Sequence, residues 1–213
     1  MKAVARIGST ARILAIVCLG TYLAARADAE FGRVQGIAAF QAAGGQSPAT
    51  AIGDYESVTP DQSHWSAGRI HAYLASLASD TGMPLGLLRV ADIDLVVPVY
   101  PGTGELALNR GLGWIEGTSR PGEDGNVGIA GHRDGFFRGL QDVGRGDVVE
   151  LETAGSTRRY RVDSIQIVEP NAVHVLAPTD TAVLTLVTCY PFYHVGPAPQ
   201  RFIVRAGLDR DAT

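Results

Sequence analysis

Residues 185–201 read TLVTCYPFYHVGPAPQR. An apolar, β-branched run ends at Cys189, Pro191 follows two residues later, and a Pro- and Gly-rich loop leads on to Arg201. Proline removes a ladder donor and does not readily continue a central strand, which predicts Cys189 at a strand end, facing the mouth of a sheet. The run at 202–205 is predicted as a second strand. If the two strands are antiparallel neighbours, loop 190–200 returns Arg201 to the side of the thiol. A guanidinium there stabilises a thiolate and can hydrogen-bond a carbonyl oxygen as negative charge develops on it.

Outward from this stretch the signals are those of strands. Apolar runs at 88–93 and 95–99 are β-rich, with Pro98 marking an edge or a strand terminus. Residues 106–108 suggest a short helical piece and 113–117 a strand fragment around Trp114. Residues 126–130 form a short strand that runs into Gly131-His132, and 136–143 are compatible with a helical turn. Runs at 148–153 and 159–168 make a hairpin. Tyr160 and Val162 alternate in one phase and Ile165 and Ile167 in the other, which predicts a bulge or bend near Ser164. With 182–189 and 202–205, about eight short strands and few helices point to a mainly all-β fold, a closed or nearly closed barrel. Before it, Ile70, Tyr73, Leu74 and Leu77 fall on one stripe of an amphipathic helix between His64 and Ser79, with Trp65 near its start.

The 213-residue chain is 46% hydrophobic and 19% charged, with a net charge of −4 and a single Lys, at position 2. No Lys/Arg cluster lies in the body, which argues against a nucleic-acid partner. Lys2, Arg6 and Arg12 precede the uncharged run 13–25, the pattern of a secretory signal or signal anchor. Its 13 residues are short of the ~20 of a comfortable span, and small-x-small patterns at 25–29 offer a cleavage site. A retained anchor is favoured over a cleaved signal, since tilt or bilayer thinning accommodates a short span. The basic flank keeps the N-terminus cytoplasmic and the body outside. The expected organisation is a tail and anchor at 1–28, a flexible Ala-, Gly- and Ser-rich linker at 29–62, the helix at 63–85, the barrel at 86–208 and a tail at 209–213. The expected location is the cell membrane, with export after cleavage as the alternative.

Export sharpens the meaning of Cys189. The other cysteine, Cys18, lies in the apolar segment, which leaves Cys189 a lone thiol in an oxidising compartment. A thiol with a pKa of about 8.5 is only a few per cent thiolate near neutral pH, so covalent use requires a base or a positive neighbour. His64 and His71 sit on the outer helix, His174 lies in a polar linker, and His194 is on the Cys189 loop. His132 differs in following a small-residue strand, NVGIAG, at its end, where Gly131 lets the backbone approach closely. GxGxxG, P-loop, CxxC and HExxH patterns are absent, and neither a cofactor nor a metal is expected.

At these residues the sequence resembles the sortase family. The segment Thr185-Leu186-Val187-Thr188-Cys189, Arg201 on the next strand and His132 upstream match its pattern. NVGIAGHRDGFF and the stretch from Thr185 through Arg201 into FIVRA look like class D-type sortases, in particular those of some Gram-negative bacteria, with departures at Gly135 and His194. The resemblance covers roughly residues 64–208 and implies an eight-stranded sortase barrel and a membrane-associated cysteine transpeptidase. It further implies that Cys189 attacks the Thr carbonyl of an LPxTG-like sorting signal to give a thioacyl-enzyme. His132 would protonate the departing amine and then deprotonate an incoming amine. Arg201 would hold the scissile region and the oxyanion, with Thr188 and Tyr190 as auxiliary substrate or oxyanion contacts. Partners are then proteins with a C-terminal LPxTG-like signal and an amine acceptor of unspecified identity. A cysteine hydrolase on the same barrel, or a non-catalytic exported binding module, are the alternative readings.

Overall fold

A computed structural model describes residues 81–194 and 196–209, most of 60–79, and a two-residue helical fragment at 37–38. The expected anchor, nearly all of the expected linker, His64 and the last four residues lie outside the described residues. Among the described residues no helix is long and apolar enough to cross a membrane.

Helix α1 (Ala67–Leu77) precedes strands β1 (Gly86–Val90) and β2 (Leu95–Pro101), joined by a short 3-10 turn at Ala91–Ile93. Helix α2 (Glu105–Arg110) follows, then β3 (Leu112–Trp114), β4 (Asn126–Ala130), β5 (Val148–Glu152) and β6 (Thr157–Val168). Strands β7 (Val183–Tyr190) and β8 (Gln200–Leu208) complete the barrel. The eight strands close into a barrel in the order β1-β2-β3-β4-β7-β8-β6-β5. Closure leaves no unpaired edge, which is how a sheet of β-branched strands avoids templating aggregation. Most pairs are antiparallel; β2–β3 and β4–β7 are parallel.

The sequence pattern explains the barrel's inside and outside. Successive strand residues point to opposite faces. Leu184, Leu186 and Thr188 of β7 and Phe202, Val204 and Ala206 of β8 are buried in the interior, joined there by Leu88, Val97, Ile129 and Phe137. Thr185, Val187 and Cys189, with Arg201, Ile203 and Arg205, take the outer face. In β6 the register against β8 shifts between Val162 and Ser164, where the two hydrophobic phases meet. Tyr160 and Val162 enter the core before the bulge, and Ile165 packs against it afterwards.

Three local expectations are corrected. The first strand ends at Val90, and residues 91–93 form a 3-10 turn rather than more strand. Pro98 lies inside β2, opposite Leu87 of β1. It is tolerated because β3 begins pairing with β2 only at Val99, so no ladder donor is required of residue 98 on that side. The stripe on α1 is also narrower than the apolar spacing suggests. Tyr73 is buried and Ile70 packs against it, but Leu74 is 36% exposed. The face that docks is Trp65, Arg69, Ile70 and Tyr73, because its neighbours are partly polar.

Candidate active site

The β7–β8 ladder runs in unbroken register from Val183↔Gly207 to Tyr190↔Gln200, and within it Cys189 lies directly opposite Arg201. The thiol is half-buried and in no disulfide. Arg201 spends Nη1 on the carbonyls of Ala198 and Gln200, at 3.3 and 2.9 Å. Those bonds fix the side chain to its own loop while its other N–H donors bond no described residue.

His132 reaches the same end of the barrel from the other side of β7. Strand β4 pairs with β7 in parallel through Ala130↔Val187, and Gly131 N–H continues the ladder to Val187 O at 3.1 Å. Continuing this register brings His132 level with Cys189. The approach depends on glycine. A Cβ on Gly131 would stand 2.6 Å from the Phe137 ring and 2.8 Å from Leu112 Cδ2. Thr188 Oγ1 donates to Gly131 O at 2.8 Å, tying the residue before the cysteine to the residue before the histidine.

That bond revises the expectation for Thr188. Its hydroxyl is committed to Gly131 and 2% exposed, so it braces the strands and does not point at a ligand. Tyr190 is half-buried and stacks on Phe202 at 6.2 Å, with Phe192 edge-on to both rings. This aromatic cluster seats the start of the β7–β8 loop on the barrel rim. His194 is exposed on that loop and His174 on the 3-10 turn Val173–Leu176.

Several residues that the sequence did not single out surround His132. Its Nε2 is 3.5 Å from Glu105 Oε2 on α2, and is buried. Asp134 of the same loop takes Trp65 Nε1–H on its carbonyl at 2.8 Å, and its carboxylate lies 3.8 Å from Arg69 Nε. Arg69 stacks over Trp65 with 4.2 Å to the ring centroid and donates to Asn109 Oδ1, so α1, α2 and the His132 loop are locked together. Burial holds the His132 pKa below its ordinary value, and the Arg69 charge pushes the same way against the carboxylates of Glu105 and Asp134. Arg133, the next residue, turns the other way. It donates to the carbonyls of Pro191, His194 and Gly196 at 3.2, 2.9 and 2.9 Å. One loop therefore presents the imidazole and clamps the loop that follows the thiol.

A thiol, an imidazole and a guanidinium at neighbouring strand ends are the kinds of group that acyl transfer uses. The model of the sortase domain matches residues 88–209. The chain belongs to the sortase family. Among curated relatives it is 31% identical over 131 residues to Sortase D of Bacillus subtilis, covering 61% of this chain and 66% of that one. It is 33% identical over 121 residues to Sortase A of Staphylococcus aureus, covering 53% and 58%. The chain thus spans less than two thirds of these relatives' lengths. Among solved structures, the Clostridium perfringens Sortase D5 transpeptidase aligns with a TM-score of 0.55 at 26% identity, over 65% of this chain and 88% of that one. Sortase C-1 of Actinomyces oris aligns with a TM-score of 0.55 at 25% identity, over 71% and 86%. The closed barrel is the sortase fold, and the matched span holds Cys189, His132 and Arg201. It leaves out Trp65 and Arg69, which brace the His132 loop from outside the family domain.

Proposed function

We propose that the chain is a membrane-associated cysteine transpeptidase that cleaves an LPxTG-like sorting signal and transfers the acyl part to an amine. The observation that carries the reading is the pairing of Cys189 with Arg201 in a sortase barrel whose neighbouring strand delivers His132. The Cys189 sulfur attacks the scissile Thr carbonyl, and its proton passes to His132. Arg201 donates to the carbonyl oxygen as it becomes an oxyanion. Collapse of the tetrahedral intermediate expels the Gly amine, which takes the proton back from His132, and the thioacyl-enzyme remains. An incoming amine then attacks, loses its proton to His132 and displaces the thiol, which is protonated again. The depressed His132 pKa supports a neutral imidazole at rest, able to accept the first proton. The basic flank and apolar run at 2–25 support a single N-terminal span with the barrel outside the cytoplasm.

The test is to incubate the full-length protein with an LPxTG-type peptide, with and without an added amine. Mass spectrometry should find a Cys189-linked acyl intermediate and an amide product that carries the amine. Product free of the amine even at saturating amine would make the enzyme a hydrolase. No adduct, with a thiol that alkylates no faster than a free model thiol, would favour a binding module.

A further inference from the structure

Two rows along the outer face from Cys189, a cavity of about 310 Å³ opens over Thr185 and Ile203. The rows follow the registers. Cys189 pairs with Arg201 and Arg201 with Val168; Thr185 pairs with Arg205 and Arg205 with Ser164. Side chains two and four residues apart on a strand share a face, so Cys189 and the cavity lie on one face of the β7–β8 ladder. Four residues of strand put them about 13 Å apart, at roughly 3.3 Å per residue.

The cavity has a fixed wall. Asn126, 1% exposed, donates through Nδ2 to the carbonyls of Val175 and Ala177, both at 3.0 Å. Its Oδ1 accepts the Thr185 hydroxyl at 2.7 Å. These bonds pin the turn Val173–Leu176 over the barrel face, and Gly128 gives it room: a Cβ there would meet Leu176 Cδ2 at 3.0 Å. Val175 and Ile203 are the apolar part of the lining, and Ser164, Gln166, His174 and Arg205 the polar part. The Arg205 side chain is half-buried and makes no hydrogen bond or ion pair among the described residues. The acid at the β6 bulge, Asp163, accepts the Ser164 hydroxyl at 2.8 Å and is not paired with Arg205. A guanidinium drawn partly out of water without a counter-charge favours a planar carboxylate, which it can bind through two parallel N–H donors.

We infer that this cavity is a specificity subsite for an acidic side chain of the substrate, with Arg205 as its selecting residue. The inference rests on the peptide-cleaving reading above. With the scissile carbonyl at Cys189 and the chain extended along β7, the acid lies about four residues away, counting roughly 3.3 Å per residue. In an LPxTG-type signal the recognised residues precede the scissile bond, which places the acid on the acyl side, at or just before the start of the motif.

The experiment uses full-length protein and LPxTG-type peptides in which Asp, Asn or Lys is walked over the third to sixth residues before the scissile bond. At one of these positions the wild type should prefer Asp to Lys by about tenfold in kcat/KM, expressed mainly in KM. In Arg205→Glu the preference at that position should invert. The readout is a ratio within each protein, so a general loss of folding or activity cannot imitate the inversion. Equal use of Asp and Lys by the wild type at all four positions would overturn the inference whatever the variants do, and so would a preference that survives Arg205→Glu. Binding of the same labelled peptides to Cys189→Ala, followed by fluorescence anisotropy, separates the two readings. The Asp preference should persist there without turnover. A wild type that turns over none of the peptides while the Asp preference persists in binding would sink the transpeptidase reading and leave the subsite standing.

Discussion

Cys189 and Arg201 are placed by backbone pairing between two strands joined by one loop, whereas the His132 loop is placed by side chains on and just before α1, Trp65 reaching Asp134 across 69 residues of chain. The first arrangement belongs to the barrel itself. Moving Cys189 relative to Arg201 means breaking the β7–β8 ladder, which carries the core residues Leu184, Leu186 and Val204. The second depends on a small satellite cluster of Trp65, Tyr73 and Ile70 beside the main core. Local stability follows buried contacts, and elements held by few of them open well before the whole domain does. The nucleophile side should be the rigid half of the site and the base side the adjustable half.

The strongest test of the rigid half is Cys189→Ala. Turnover of an LPxTG-type peptide should fall by at least about 10³-fold, since no other group supplies the covalent step. The melting temperature should stay close to that of the wild type, because the thiol is half-buried and makes no bond that holds the ladder. A large loss of stability would show that the cysteine is structural.

Trp65→Ala addresses the adjustable half. It removes the indole N–H bond to Asp134 and the face on which Arg69 stacks. Displacing a catalytic group by about 1 Å can cost on the order of 100-fold in rate, so kcat should fall by roughly ten- to a hundredfold. Hydrogen exchange should rise over residues 132–138 and stay protected in β7 and β8. Equal loss of protection on both sides would erase the distinction between the halves.

Arg133→Ala should give a smaller effect, about three- to tenfold in kcat/KM. Charged hydrogen bonds contribute up to about 1.5–3 kcal/mol when shielded, but two of these three are exposed and worth less. Arg133→Lys should recover little, because one ammonium does not reproduce a fork that spans three carbonyls. Full recovery would mean that charge, and not the clamp, sets the loop.

The smallest effect is on proton binding. The His132 imidazole, followed by NMR, should titrate below the ordinary 6.5, and Arg69→Gln should raise its midpoint by removing a repelling charge. The unfolded chain takes up this proton at higher pH than the folded protein does. Stability from this group is therefore fully present above about 6.5 and is lost as pH falls through the folded value. A midpoint at or above 6.5 would remove the case for a neutral imidazole at rest.

Much of the rigid half was legible in the chain. A β-branched run that ends at Cys-Tyr-Pro marks a strand end, and the apolar run after Arg201 reads as a second strand returning from the loop. The change of phase between Val162 and Ile165 located the bulge, because period-2 alternation leaves no other way to keep both halves facing the core. Thr188 was misread because a hydroxyl beside a nucleophile looks like a donor for the ligand, and nothing local shows that its proton goes to Gly131. Glu105 and Arg69 were not legible as neighbours of His132, since they come from two separate helices and meet it only through tertiary packing.

By itself the sequence determined the barrel class, the strand that ends in the thiol, the arginine that follows it and the glycine that lets His132 come close. Those are matters of local periodicity, turn chemistry and the space a backbone needs. Only the tertiary structure decided which carboxylate and which guanidinium set the proton affinity of His132, how Arg133 ties the two loops, and that Arg205 stands without a counter-charge over a walled cavity. Such properties depend on which side chains meet across elements far apart in the chain, and on how much water the packing leaves around them.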